Sequence, residues 1–274
     1  MNVSDYKAYH KIITDSYDER SKHYAKSQWH KGLAEQLVDY RPPNEGDSVL
    51  DIGTGTGAAA LYSSVLVGDT GRVVGVDISK GMISEAEKLR TGRNCENVQF
   101  TVADGESLNY PENSFDRIYC ASAFFWVADK HKALSIWYRM LKPGGVIGFH
   151  AWPETSNIYG YVARKVLRKY GVEYLAHSPT GSKEICKSLL ESAGYSEIDI
   201  KVTSEGHFLS LKDAKEAWIS EKDYPIGQYP HPVTVASREV MEKAKLDYDR
   251  EMESLATEEG VWNDTTMYFV YGAK

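Results

Sequence analysis

A chain of 274 residues, 42% hydrophobic and 26% charged, has the composition of a folded globular protein and not of a disordered one. A formal net charge of -7 argues against a broad phosphate-tracking surface, which excludes nucleic acid as the main partner. The three cysteines, Cys95, Cys120 and Cys186, are far apart and show no CxxC or Cys/His ligand spacing, so neither a disulfide framework nor a zinc site is suggested.

In chain order, the polar, Tyr-rich opening reads as helical up to Arg41-Pro42-Pro43, where two prolines end a helix. It lacks the apolar core of a secretory leader, and no stretch of the chain approaches the ~18 apolar residues of a membrane span. The expected compartment is therefore the cytoplasm. Ser48–Ile52 is a short apolar strand that runs into Gly53-Thr54-Gly55-Thr56-Gly57, and Ala58 to Val67 is a small-residue helix. Arg72 to Ile78 is a second strand, followed by a helix capped by Ser79 and closed by Gly92. Val98 to Ala103 and Phe115 to Ser122 are further strands, and Lys130 to Leu141 is helical. Lys142-Pro143-Gly144-Gly145 reads as a turn before a fifth strand, Val146 to Trp152. This alternation predicts a parallel sheet covered on both faces. Helices are then expected over Ile158–Tyr170 and Ser182–Ala193, one continuous strand over Ile198–Phe208, an amphipathic helix over Ser237–Ala256 and a last strand over Thr265–Tyr271.

The glycine turn sits between a strand and a helix, where a backbone free of side chains approaches a ligand closely and helix N-terminal amides face it. Asp77 ends the second strand, placed to accept from ribose hydroxyls. These features suit a dinucleotide as well as S-adenosylmethionine, and the string even satisfies GxGxxA. Asp51 separates the two. A carboxylate beside the cradle repels a pyrophosphate but attracts the ammonium and sulfonium of S-adenosylmethionine.

The strings VLDIGTGTG, VVGVDIS, VQFTVADGESL, FDRIYCASAFFWVAD and LKPGGVIGFH, in that order over residues 48–152, resemble the class I methyltransferases. Within these, the chain is similar to the small-molecule methyltransferases of ubiquinone/menaquinone biosynthesis. The resemblance implies an α/β, Rossmann-like seven-stranded sandwich with a reversed last strand and a helical lid. It implies S-adenosylmethionine as cofactor and S-adenosylhomocysteine as product. Gly53, Thr54, Gly55 and Gly57 would hold the methionine part, with Asp51 at the ammonium. Asp77 would bind the ribose, Ile78 and Met82 would pack on the adenine, and Ala103, Asp104 and Gly105 would flank it, Asp104 accepting from its amino group. Ala121 and Ser122 would form the floor.

Methyl transfer rewards alignment of the nucleophile and needs a base only when a proton must leave. Candidate catalytic residues are His150, at the end of the fifth strand, with Tyr24 and His23 in the N-terminal segment. Relatives often carry a polar residue where this chain has Phe125 or Phe124, which suggests an apolar wall of Phe124, Phe125 and Trp126, joined by Trp152 and Tyr229 at the acceptor. The metal-binding Asp-Asn pair of catechol-type relatives is replaced by Phe149-His150-Ala151-Trp152, so no metal is expected. The expected arrangement is one domain over 1–274, with an N-terminal helical cap (1–43), a Rossmann-like core (44–210), a lid insertion (211–260) and a final strand (261–274). The expected reaction is methylation of an O, N or C nucleophile on a small aromatic or hydrophobic metabolite. The alternatives are a nicotinamide-dependent oxidoreductase and a binding module that keeps the cofactor but transfers nothing.

Overall fold

The computed structural model describes residues 3–172, 174, 180–219 and 236–274, with side chains from residue 6 onward. The chain divides into two compact units: a sheet unit of Tyr17–Ala151, Ser182–Lys201 and Tyr268–Lys274, and a helical unit of Met1–Ser16, Trp152–Gly181 and Val202–Met267. These limits differ from the boundaries expected at 44, 211 and 261. Among the described residues no helix is long and apolar enough to cross a membrane.

The sheet unit is built on β1 (Ser48–Ile52), β2 (Arg72–Asp77), β3 (Val98–Val102), β4 (Phe115–Cys120), β5 (Leu141–Ala151), β6 (Ser196–Thr203) and the last strand, Met267–Ala273. With that last strand written β9, the order across the sheet is β3-β2-β1-β4-β5-β9-β6. The pairs from β3 to β5 are parallel and β5–β9 is antiparallel, which is the reversed strand expected from the motif order. β1 is buried along its whole length, as a central strand covered on both faces must be. The strands are joined by α3 (Ala58–Val67), α4 (Lys80–Gly92), α5 (Lys130–Met140) and α7 (Lys183–Ser192), with α2 (Gln28–Asp39) preceding them. The first helix, α1 (Val3–Tyr24), crosses the division between the units. In the helical unit, α6 (Ile158–Lys169), α8 (Leu211–Glu216) and α9 (Arg238–Leu255) pack through Val162, Val166, Ala214, Ala244, Tyr248 and Met252.

Three local expectations are corrected. Lys142–Gly145 is not a turn ahead of β5 but a bulge within it: the register slips between Phe115 and Arg117, and Gly144 and Gly145 exchange backbone hydrogen bonds with Lys274. The strand expected over 198–208 breaks after Thr203, and β7 (Gly206–Leu209) pairs instead with β8 (Val261–Asp264), which is separate from the last strand, against the expectation of one final strand over 261–274. The tight fit of Gly206 under the Trp262 ring explains the glycine at the break: a Cβ there would lie 2.3 Å from Trp262 Cζ2. Gly92 is the last residue of α4 and not its stop; Asn94, at φ 54°, takes the left-handed position.

Trp137 is fully buried in the core under β4 and β5, and its indole N–H donates to the Gly105 carbonyl at 2.9 Å. Trp137→Ala is expected to lower unfolding stability by about 3–5 kcal/mol in a denaturant titration, the usual cost of an emptied aromatic site. A loss below about 1 kcal/mol would contradict this packing.

Candidate functional site

The chain leaves β1 through three left-handed glycines, Gly53 (φ 66°), Gly55 (φ 55°) and Gly57 (φ 87°). At Gly53 glycine is required twice over, since a Cβ there would also lie 2.4 Å from the Ala123 Cβ. Thr54 N–H donates to the Val76 carbonyl, which ties the turn to β2. At its foot, Asp51 Oδ2 accepts from Thr54 Oγ1 at 2.6 Å and from Ala60 N–H at 3.1 Å. Its other oxygen, Oδ1, is buried with no hydrogen-bond partner among the described residues. Burial pushes this carboxyl up to about 7, against the pull of the Thr54 and Ala60 hydrogen bonds.

Asp77, at the end of β2, accepts from Gly55 N–H at 2.8 Å and from Ser79 N–H at 2.9 Å, one on each oxygen, with a smaller contribution from Ile78 N–H. Burial raises it to about 6. Ile78 follows it, half-buried. Alongside, at the end of β3, Ala103 N–H donates to the Asp77 carbonyl and half-buried Asp104 accepts from Glu106 N–H at 2.9 Å. Gly105 lies so close to β1 that a Cβ would come within 2.7 Å of Ile52 Cγ2. Met82 departs from expectation. It is fully buried on the inner face of α4 and presents no surface for an adenine.

β4 stops at Cys120 because Ser122 turns into the left-handed region at φ 52°. His150 holds it there: its Nδ1 accepts from Ser122 N–H at 3.0 Å. That imidazole has no exposed surface, meets the Phe269 ring edge-on at 4.6 Å, and is pushed down to about 3 by burial. The expectation of His150 as a base is corrected on this geometry, since a sealed ring supporting the Ser122 turn reaches no acceptor. Phe124 is likewise core, fully buried with its ring 4.1 Å from Phe149. The short 3-10 turn Phe124–Trp126 points it inward while Phe125 and Trp126 stay half-buried. Trp152 falls in the helical unit, where its N–H donates to Thr180. Tyr229 lies outside the described residues.

Above the glycine turn, the N-terminal helices bring a row of rings into the sheet unit. Trp126 Nε1 donates to the Tyr17 hydroxyl at 2.9 Å, and Tyr24 lies 6.1 Å from Tyr17 and 4.7 Å from His30 between ring centroids. Tyr24, His30, Asp51, Gly53, Gly55 and Ser122 line an open cleft of about 170 Å³. His23 is exposed at the end of α1 and does not line it. The sequence reading missed His30. It stands three residues after Ser27, the N-cap of α2, and its Nδ1 lies 2.6 Å from the Ser27 hydroxyl. Ser-x-x-His ahead of an apolar helical stripe is the capping-box position, and that was the signal available. Burial, then the Arg20 charge, lower the His30 pKa below 6.5.

A titration of the histidine rings by NMR should show the His150 imidazole neutral from pH 8 down to pH 5. Because its folded value lies below the unfolded 6.5, the protein should lose up to ~1.4 kcal/mol of stability per pH unit from this group as pH falls below 6.5. A His150 signal titrating near 6.5 would contradict its sealed environment.

Residues 50–149 match a family described as a methyltransferase domain. The chain is 35% identical over 144 residues to aklanonic acid methyltransferase DauC of Streptomyces sp. (strain C5), a match covering 52% of this chain and 66% of that protein. It is 31% identical over 183 residues to the ubiquinone/menaquinone biosynthesis C-methyltransferase UbiE of Escherichia coli, covering 59% and 71%. The YcgJ protein of Bacillus subtilis has a similar fold, with a TM-score of 0.61 at 18% identity over 89% of this chain and 98% of that one. The glycine turn falls within the matched residues 50–149, and the chain belongs to the class I S-adenosylmethionine-dependent methyltransferases, of the small-molecule type.

Proposed function

We propose that the cleft over the glycine turn holds S-adenosylmethionine and that the acceptor is a small aromatic or hydrophobic metabolite. The observation that carries this is Asp51, a buried carboxylate with one satisfied and one unsatisfied oxygen at the foot of the turn. Such an oxygen costs free energy unless a donor or cation completes it, and an ammonium does both. A pyrophosphate does neither, and the family membership also disfavours the nicotinamide alternative. Asp77 would take the ribose hydroxyls, with Ile78, Ala103 and Asp104 at the adenine. When bound, S-adenosylmethionine supplies a methyl carbon activated by its sulfonium.

The residues of the chain align and exclude. Ala121 and Ser122 form a floor, and Tyr24 a roof, over the turn. Burial raises the Tyr24 phenol, so at neutral pH it keeps its proton and serves as a hydrogen-bond group, not a base. His30 is neutral at that pH and lines the same cleft, which makes it the better candidate to accept a proton where the acceptor loses one. Phe125 and Trp126, with ring centroids 4.5 Å apart and planes tilted by 48°, offer aromatic surface to an aromatic acceptor. The free thiols, with Cys120 and Cys186 buried, fit a reducing cytoplasm as the setting.

Calorimetric titration with S-adenosylhomocysteine, with NADH as control, tests the cofactor assignment. Affinity should be highest above pH 7 and fall as pH drops through about 7, because a protonated Asp51 no longer attracts the ammonium. Asp51→Asn and Asp77→Ala should each weaken binding roughly ten- to a hundredfold, and Asp51→Asn should flatten the pH profile. Binding of NADH alone, or unchanged affinity in both folded variants, would overturn the placement. Labelled methyl transfer to a panel of aromatic acceptors then separates an enzyme from a binding module, which binds and transfers nothing.

A further inference from the structure

We propose that Asp18 is a positioning residue: it ties the N-terminal helix to the loop after β2 and so keeps Tyr17 and Tyr24 over the glycine turn. Asp18 Oδ1 accepts two hydrogen bonds, from the Ser79 hydroxyl at 2.5 Å and from Gly81 N–H at 2.8 Å. Ser79 is thereby held between two carboxylates, its N–H on Asp77 and its O–H on Asp18, while its Oγ accepts from Met82 N–H at 3.0 Å to cap α4. The positive end of α4 accommodates both charges. Asp18 therefore shares a partner with the residue that the proposed function assigns to the ribose.

The contact is also a matter of shape. A Cβ on Gly81 would lie 2.7 Å from Ser21 Oγ and 3.0 Å from the Asp18 backbone. α1 thus approaches α4 closely at a position where any side chain crowds Ser21 and the Asp18 backbone, and Ser21, itself buried, turns its hydroxyl back onto the Asp18 carbonyl at 2.7 Å. Tyr17 directly precedes Asp18, and Tyr24, which lines the cleft, stands one turn beyond Ser21. Tyr17 is fixed by Trp126 Nε1, and Tyr24 passes Gly55 so closely that its Cε1 would sit 3.7 Å from a Cβ there. Asp18 supplies the polar tie between those two contacts. Without it, the Ser79 hydroxyl and the Gly81 amide lose their acceptor, and the helix keeps the Trp126–Tyr17 hydrogen bond and its ring contacts to the site.

This inference rests on the cofactor placement proposed above, so the test reads it in two ways. Hydrogen exchange is measured on the ligand-free full chain for the unmodified protein, Asp18→Ala, Asp18→Asn, Gly81→Ala and, as a surface control, Asp15→Ala. S-adenosylhomocysteine affinity is measured on the same five proteins. Asp18→Ala and Gly81→Ala should speed exchange across residues 17–24 and 79–82 by about tenfold or more and raise the dissociation constant about tenfold. Asp18→Asn, whose amide oxygen still accepts both hydrogen bonds, should restore protection and bring affinity within about threefold of the unmodified protein. Asp15→Ala should change neither. Unaltered exchange in Asp18→Ala overturns the tie. Faster exchange with unaltered affinity overturns its positioning role, leaving Asp18 an ordinary helix cap. An unmodified protein that fails to bind overturns the cofactor placement and the positioning role together, while exchange still decides whether the tie exists.

Discussion

The site is organised around a carboxyl group that the fold buries before any ligand completes it. Asp51 lies on the central strand, where water is excluded, and the hydrogen bonds it accepts come from the turn and the first turn of α3 that follow it, Thr54 Oγ1 and Ala60 N–H. The left-handed glycines are what allow the chain to wrap back over that carboxylate, and the Thr54 bond to Val76 anchors the wrap to β2. Half of the carboxylate remains unpaired. Leaving it so is unfavourable for the folded protein and favourable for any cation that enters the cleft.

Around this centre the molecule separates support from contact. His150, Phe124 and Met82 are sealed in the core and act through what they hold: the left-handed Ser122, the turn bearing Phe125 and Trp126, and the inner face of α4. Tyr24, His30 and Ser122 line the cleft itself. A neutral imidazole and a protonated phenol in a partly buried setting suit a reaction in which alignment matters more than acid or base strength.

The parallel core was legible because its determinants are local. The apolar run at Ser48–Ile52, the glycine turn and the Ser79 cap each imply their own conformation, and all three stand where they were expected. The residues at the ends of β2 and β3 came together for the same reason, since parallel strands deliver their C-terminal ends to one edge. What stayed hidden depends on distant partners. The bulge at Gly144 and Gly145 exists because Lys274 pairs with it, and β7 leaves the large sheet because β8 is there to receive it. Whether a histidine or phenylalanine at a strand end faces a cleft or the core is likewise a tertiary question; His150 and Phe124 were read as outward and lie inward. His30 was passed over because it lies beyond the motif strings, on a helix whose cap pairs with it.

The central claim, that the unsatisfied Asp51 oxygen is the anchor for an ammonium, is tested most directly by a crystal structure of the protein with S-adenosylhomocysteine. The account predicts the amino-acid end over the glycine turn with its ammonium in hydrogen-bond reach of Asp51 Oδ1, directly or through one water, and the ribose on Asp77. A ligand lying elsewhere, or one whose ammonium is held by other groups while Asp51 Oδ1 stays unpaired, would contradict it.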